Sequence, residues 1–294
     1  MTTDKSFAHK PGSKAPQNAV LGNHCVLVTR PEQQQAELIA ALEAWGAQTI
    51  PLPLLSISPP SEGAPAAKLR RSLLELDLFD SLLFVSTNAV RAGVASIEDY
   101  WPQFPVGLHI LAIGPSTAAL ARELLGCDVA VAAGGSTSEE LLASGLLGDL
   151  KGKRVGIFRG EGGRDALAEG IRQRGGRVEY FEVYRRSPCD YSDTQLVEAL
   201  DGKSPTALTI TSGESLDALL SLVPRLEKAI DIAVGKSIRA DVLAMPLIVP
   251  SARVKKLALA KGFTAPIDAG GADALTFARA LSVVAGKTDP NKSD

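Results

Sequence analysis

Short apolar runs alternate with amphipathic stretches along most of the chain. The clearest unit is residues 154–186, RVGIFRGEGGRDALAEGIRQRGGRVEYFEVYRR. Its apolar run from Val155 to Phe158 predicts a buried strand, which a glycine-rich turn breaks. Leu167 and Ile171, four positions apart, predict the inner face of a helix, and Gly175 and Gly176 stop it. Val178 to Tyr184 then reads as a second extended segment. Strand, helix, strand is the unit from which parallel sheets are built. Residues 25–57, CVLVTRPEQQQAELIAALEAWGAQTIPLPLLSI, repeat it without a gap. The alignment sets Val26 on Val155, Arg30 on Arg159, Glu32 on Glu161, Leu38 on Leu167 and Gly46 on Gly175. A repeat of this length, used twice, predicts two similar lobes rather than a solenoid.

In the first copy, Pro31 suits the opening helical position, and Leu38, Leu42 and Trp45 form the apolar stripe. Thr49 to Ile57 is extended but contains Pro51 and Pro53, which cannot donate to a sheet ladder. It reads as an edge strand or a linker. Between the copies lie a helix near residues 67–76 and the strand-to-turn segment LLFVSTNAV, residues 82–90. HILAIGPSTAALARELLG, residues 109–126, and a short strand at Val129–Ala132 follow, the latter leading to Ser136 and Thr137. After the second copy, LTITSGESLDALL, residues 208–220, answers the Ser86 turn with Ser212. DIAVGKSIRADVLA, residues 231–244, is read as a strand and turn that answer Gly114 with Gly235. Such a series predicts open parallel α/β sheets, two in number, with helices on both faces. The proline-rich run at 49–57 and its repeat partner at 178–186 are expected to connect the lobes.

Composition narrows the function. At 294 residues, 45% hydrophobic and 22% charged, the chain suits a two-domain globular protein. A net charge of −2 gives no general attraction for nucleic acid or an anionic membrane. Cys25, Cys127 and Cys189 are scattered and odd in number, which fits a reducing cytoplasm and offers neither a disulfide framework nor a zinc motif. Only three histidines occur, so a histidine triad or metal centre is not expected. The first 22 residues read as a disordered tail without a signal-peptide core, and residues 287–294 as a loose polar end. No apolar run reaches membrane-spanning length.

LVTRP, VSTNAV, AIGPSTA, FRGEGGR, VYRR, ITSGESL and the closing KGF…GGADAL occur in this order between Cys25 and Leu281. In that ordered set the chain resembles the uroporphyrinogen-III synthase family. The resemblance implies a monomeric, cofactor-free, cytoplasmic enzyme of tetrapyrrole (haem) biosynthesis with two doubly wound, flavodoxin-like lobes on a two-stranded linker. It also implies a discontinuous layout, where the connectors alone would equally allow a simple split. Residues 23–53 plus 182–286 form one domain, and 54–181 are inserted as the other. The implied reaction closes linear hydroxymethylbilane into uroporphyrinogen III, with loss of water and inversion of the fourth pyrrole ring.

The substrate so implied carries eight carboxylates. Backbone N–H groups and hydroxyls at helix starts can hold such groups. The turns that offer them are at Thr29 and Arg30, Ser86 and Thr87, Gly114 with Ser116 and Thr117, Ser136 and Thr137, Thr211 with Ser212 and Gly213, Gly235 with Lys236 and Ser237, and Gly270 and Gly271. Arg159, Gly160 and Arg164 of the glycine-rich turn could add charged contacts. Any one of these serines or threonines is as readily a plain helix cap, and each arginine as readily a solvated one; it is their number on both lobes that points to a ligand cleft. FRGEGGR lacks the Gly-Lys-Ser/Thr ending of a phosphate loop and is not GxGxxG, so no nucleotide is expected. Tyr184, where the family has a tyrosine, is the candidate acid, or else a residue that packs the linker. Ile238 stands where the family commonly has threonine, which leaves Thr117 without a partner in the other lobe. Two further readings stay open: a non-catalytic two-lobed polyanion-binding protein, and a nucleotide-dependent transferase.

Overall fold

A computed structural model describes residues 20–132, 137–163, 165–235 and 240–285. The chain opens with β1 (Cys25–Val28), α1 (Glu32–Ala44), β2 (Gln48–Pro51) and β3 (Leu55–Ser58). Then come α2 (Ala64–Leu74), β4 (Ser81–Phe84), α3 (Thr87–Glu98), β5 (His109–Ala112), α4 (Pro115–Leu125), β6 (Ala130–Val131) and α5 (Ser138–Ala143). The repeated unit follows as β7 (Arg154–Gly160), α6 (Ala166–Gln173) and β8 (Arg177–Pro188). The rest is α7 (Asp193–Leu200), β9 (Ala207–Thr209), α8 (Gly213–Val234), β10 (Leu247–Val249), α9 (Ala252–Ala260), β11 (Pro266–Asp268) and α10 (Ala274–Ala285). No helix among the described residues is long and apolar enough to cross a membrane.

Two compact units result. One holds the chain up to Ser56 and from Pro188 onward, and the other is Ile57–Ser187. In the first, five parallel strands run β2-β1-β9-β10-β11. Counted within the unit this is the order 2-1-3-4-5, the doubly wound arrangement with its switch point between β1 and β9. Alternation in β1 sends Cys25 and Leu27 to a core under α7 and α8, and Val26 and Val28 to one under α1 and α10. Both faces are covered, which is why the strands read as unbroken apolar runs. Pro51 ends β2 on the outer edge, where a missing N–H costs no ladder bond. Pro31 is the N-cap of α1, one position before the helical place expected for it.

The second unit has the order β3-β8-β7-β4-β5-β6. With β3 set aside and β7 and β8 counted first, the other five strands again read 2-1-3-4-5, so the unit is a circular permutation of the other. The repeated segments thus hold equivalent places: β1 and β7 each flank a switch point, and β2 and β8 each lie outside them. Beyond β8, Leu54 O accepts from Cys189 N and Ser58 Oγ from Arg185 Nε, partners that run in opposite order along the two segments.

Phe84, Phe158 and Phe181 stand opposite one another on β4, β7 and β8 and stack at centroid distances of 4.6 and 4.4 Å. Glycines make room for this row. A methyl on Gly93 of α3 would lie 2.6 Å from Phe158, and one on Gly156 2.7 Å from Phe181. The helix therefore rests directly on the aromatic layer. Past Phe181 the register between β7 and β8 shifts: Arg159 faces Glu182, but Gly160 faces Tyr184. Val183 is the extra residue of a bulge. Tyr180 packs on the α5–α6 side of the sheet while Val183 and Tyr184 are both buried on the α3 side. A regular strand would have put Tyr184 on the same face as Tyr180.

Candidate active site

Ligands of open parallel sheets bind beyond the carboxyl ends of the strands at the switch point. In the second unit that place is between β4 and β7, and a cleft of about 460 Å³ opens there. Ser86, Thr137, Arg159, Gly160, Tyr180 and Tyr184 are in its wall. Each owes its place to a local device. Ser86 ends the β4 run as the N-cap of α3, its Oγ accepting from Ala89 N at 3.1 Å. Thr137 caps α5 in a capping box with Glu140. Tyr184 is only 5% exposed, turned to this face by the bulge and laid against Gly160, where a methyl would come within 2.7 Å of its ring. Its hydroxyl lies 3.4 Å from Ser86 Oγ.

Arg159 continues the inward alternation of Val155 and Ile157, so its guanidinium is buried. Burial of a charge demands partners. Nη1 donates to Asp165 at 3.0 Å, Nε lies 3.3 Å from Gly160 O, and Cζ sits 4.3 Å over the Tyr180 ring. Tyr180 in turn donates to Asp165 at 2.8 Å. That bond first, and the Arg159 bond second, hold the Asp165 carboxyl below its ordinary value. Burial, and after it the Asp165 contact, raise the Tyr180 phenol. The glycine-rich turn is pinned from the other side: Glu161 accepts from Ser61 N and Oγ at 2.6 and 2.9 Å and donates its own N–H to Tyr184 O. Gly163 lies so close to Arg159 that a methyl there would meet the guanidinium at 2.8 Å.

Of the other residues expected here, Thr87 opens α3 beside Ser86. Gly114, with φ 84°, caps α4, Ser116 is exposed in that helix's first turn, and Thr117 is buried one residue on. In the first unit, Thr29 and Arg30 follow β1, and Ser212 and Gly213 follow β9, the two strands of the switch point. Thr29 is buried, with its hydroxyl donated to Thr209 O inside the sheet. Arg30 donates to Ala272 O and lies 5.3 Å over Phe277. Its own burial lowers its pKa. Ser212 caps α8, accepting from Ser215 N at 3.1 Å. Arg164, Lys236 and Ser237 lie outside the described residues.

Gly235 requires a correction. Asp231–Val234 is no strand but the end of α8, and Gly235, with φ 60°, is the C-cap of that 22-residue helix. It is roughly 35 Å from Ser212 at about 1.5 Å per residue, at the other end of the helix. The element that answers β5 and Gly114 is β10 with Ser251, whose Oγ caps α9 by accepting from Val254 N. Asp165, Tyr180, Ser251 and the cleft residues Glu139 and Arg186 were not foreseen. The sequence holds a signal for two of them: an arginine at an inward strand position needs a nearby carboxylate, and VPS after an apolar run is a cap.

Comparison with known proteins places these features in a family. A family model described as uroporphyrinogen-III synthase HemD matches residues 36–254. The uroporphyrinogen-III synthase of Salmonella typhimurium is 32% identical over 200 residues, covering 68% of this chain and 80% of that protein. That of Escherichia coli is 30% identical over 203 residues with the same coverage, 68% and 80%. Among solved structures, a uroporphyrinogen III synthase from Thermus thermophilus aligns with a TM-score of 0.54 at 19% identity, covering 90% of this chain and all of that one. One from Helicobacter pylori gives 0.54 at 15% identity over 89% and 99%. At such identities the structures show the shared two-lobed α/β fold.

Proposed function

Because the chain belongs to the uroporphyrinogen-III synthase family, we propose that it closes hydroxymethylbilane into uroporphyrinogen III, as a cofactor-free monomer of the cytoplasm. The observation that carries the site assignment is the cleft at the β4–β7 switch point, with a buried tyrosine whose hydroxyl meets a helix cap. The chemistry asks for little more. The pyrrole nitrogen expels the hydroxyl and leaves an azafulvene cation, so modest acid help from Tyr184 suffices. The harder task is to bend the chain so that attack falls on the substituted carbon of the fourth ring. Holding the reacting ends in one arrangement supplies several kcal/mol, ample for choosing an isomer. At about 460 Å³ the cleft is in the lower part of the ~300–1,000 Å³ range of drug-sized ligand sites. It therefore suits the reacting end of a tetrapyrrole rather than its whole length. Helix starts at Thr87 and Pro115 in this unit offer N–H groups to the carboxylates.

The test is turnover. Purified protein given hydroxymethylbilane and no cofactor should yield mainly the type III isomer. Type I alone, the product of unassisted closure, would overturn the assignment, and binding without turnover would favour a polyanion-binding protein instead.

A further inference from the structure

Ser86 already uses one lone pair on Ala89 N–H, so its own O–H is free of the capping bond. Tyr184 Oη, 3.4 Å away, is the side-chain oxygen it meets. Neither partner can drift far. Ser86 is fixed at the start of the 12-residue α3, which rests on the phenylalanine row through Gly93. Tyr184 is fixed by the bulge at Val183 and by contact with Gly160. The amino end of a helix also carries partial positive charge, which favours an anion placed beside it.

Resting on the reading of Tyr184 as the acid, we infer that Ser86 is a positioning residue for Tyr184, holding the phenol and stabilising the phenolate that forms when it gives up its proton. In the first step the proton passes from Tyr184 Oη to the hydroxymethyl oxygen. The C–O bond breaks, water leaves, and the pyrrole nitrogen's electron pair completes the azafulvene cation. Ser86 O–H and the α3 terminus then face a phenolate. After ring closure a pyrrole carbon must lose a proton to regain aromaticity, and the phenolate takes it. The tyrosine is restored and no further reactant is needed. At 3.4 Å the hydroxyl pair is long for O–H···O, and it should shorten as charge develops.

A double-mutant cycle tests this. Ser86→Gly removes the hydroxyl, yet glycine caps a helix nearly as well as serine, so folding should survive. In the parent protein it should lower kcat by about one to two powers of ten, the worth of a hydrogen bond to a charged group, with KM little changed. In the Tyr184→Phe protein, whose kcat is already low, the same change should have little further effect. Ser86→Thr, which keeps both cap and donor, should retain most of the rate. An equal loss from Ser86→Gly in both backgrounds, or a rise in KM alone, overturns the inference, since Ser86 would then serve the helix or bind substrate directly. So does a Tyr184→Phe variant with unaltered kcat, though type III product from the parent would leave the enzyme assignment standing. A parent protein that makes no type III isomer instead condemns the assignment itself.

Discussion

Arg159 shows how a single residue can be legible in place and illegible in role. The alternation Val155, Ile157, Arg159 already says that the side chain points inward. What it cannot say is that Asp165 and Tyr180 wait there, because one lies across a glycine turn and the other on the next strand. Arg159 is 6% exposed in its side chain and Asp165 61%, so the pair joins a desolvated cation to a hydrated carboxylate. Loss of the carboxylate's charge would take one ionic partner from the buried guanidinium. The sign of the pH effect follows. A carboxyl whose folded value is depressed stabilises the fold fully above its unfolded value, near 3.8, and loses that contribution as pH falls through the folded one. Asp165→Asn keeps the shape and an acceptor for Tyr180 but no charge. Its melting temperature should lie below the parent's at neutral pH and converge on it as acidity increases below about pH 4. Parallel curves would show that the pair contributes nothing net.

Among the elements, α3 tests packing most sharply. Gly93 would ordinarily be improved by alanine, which gains about 0.5–1 kcal/mol within a helix. Here the added methyl would lie 2.6 Å from Phe158 Cδ1 and 3.1 Å from Phe84. Overpacking of that kind costs about 1–3 kcal/mol, so the steric term should win. Gly93→Ala should lower the midpoint of chemical unfolding without altering its slope, and a stabilised variant would refute the close contact. The same elements mark the limit of the pattern. The repeated strand–helix–strand units, the Ser86 and Ser212 caps and the edge position of Pro51 all follow from local composition. The bulge at Val183 does not, because nothing in YFEVYRR distinguishes a strand that slips by one residue from one that continues. The α8 misreading has a plainer cause: four residues, Asp231–Val234, fit strand and helix alike. Pro224 also argues against a long helix, since it removes a backbone donor in the interior. Packing of Leu226, Ala229 and Ile230 into the core outweighs that local cost.

At the scale of the whole molecule, the internal repeat could be read directly from identities at constant spacing. The strand order could not. The same pair of strands leads one sheet as β1 and β2 and closes the other as β7 and β8, and no residue records which order applies. That permutation governs the order of assembly. Cys25 and Thr206, hydrogen bonded across β1 and β9, are 181 positions apart. Closing so long a loop is entropically costly, whereas the Ile57–Ser187 unit is continuous in sequence. Once folded it brings β3 and β8 side by side, so most of the intervening length no longer counts. Pulse-labelling hydrogen exchange during refolding should therefore protect the amides of β4 and β7 before those of β1 and β9, and the reverse order would exclude this route. On the ribosome the sequence of events is stricter. At roughly 5–20 residues per second, β1 emerges about 10–35 s before β9 exists to pair with it. For that interval its apolar inner edge, Cys25 to Val28, is an open strand, so of all segments in the newborn chain it is the one a holding chaperone should cover first.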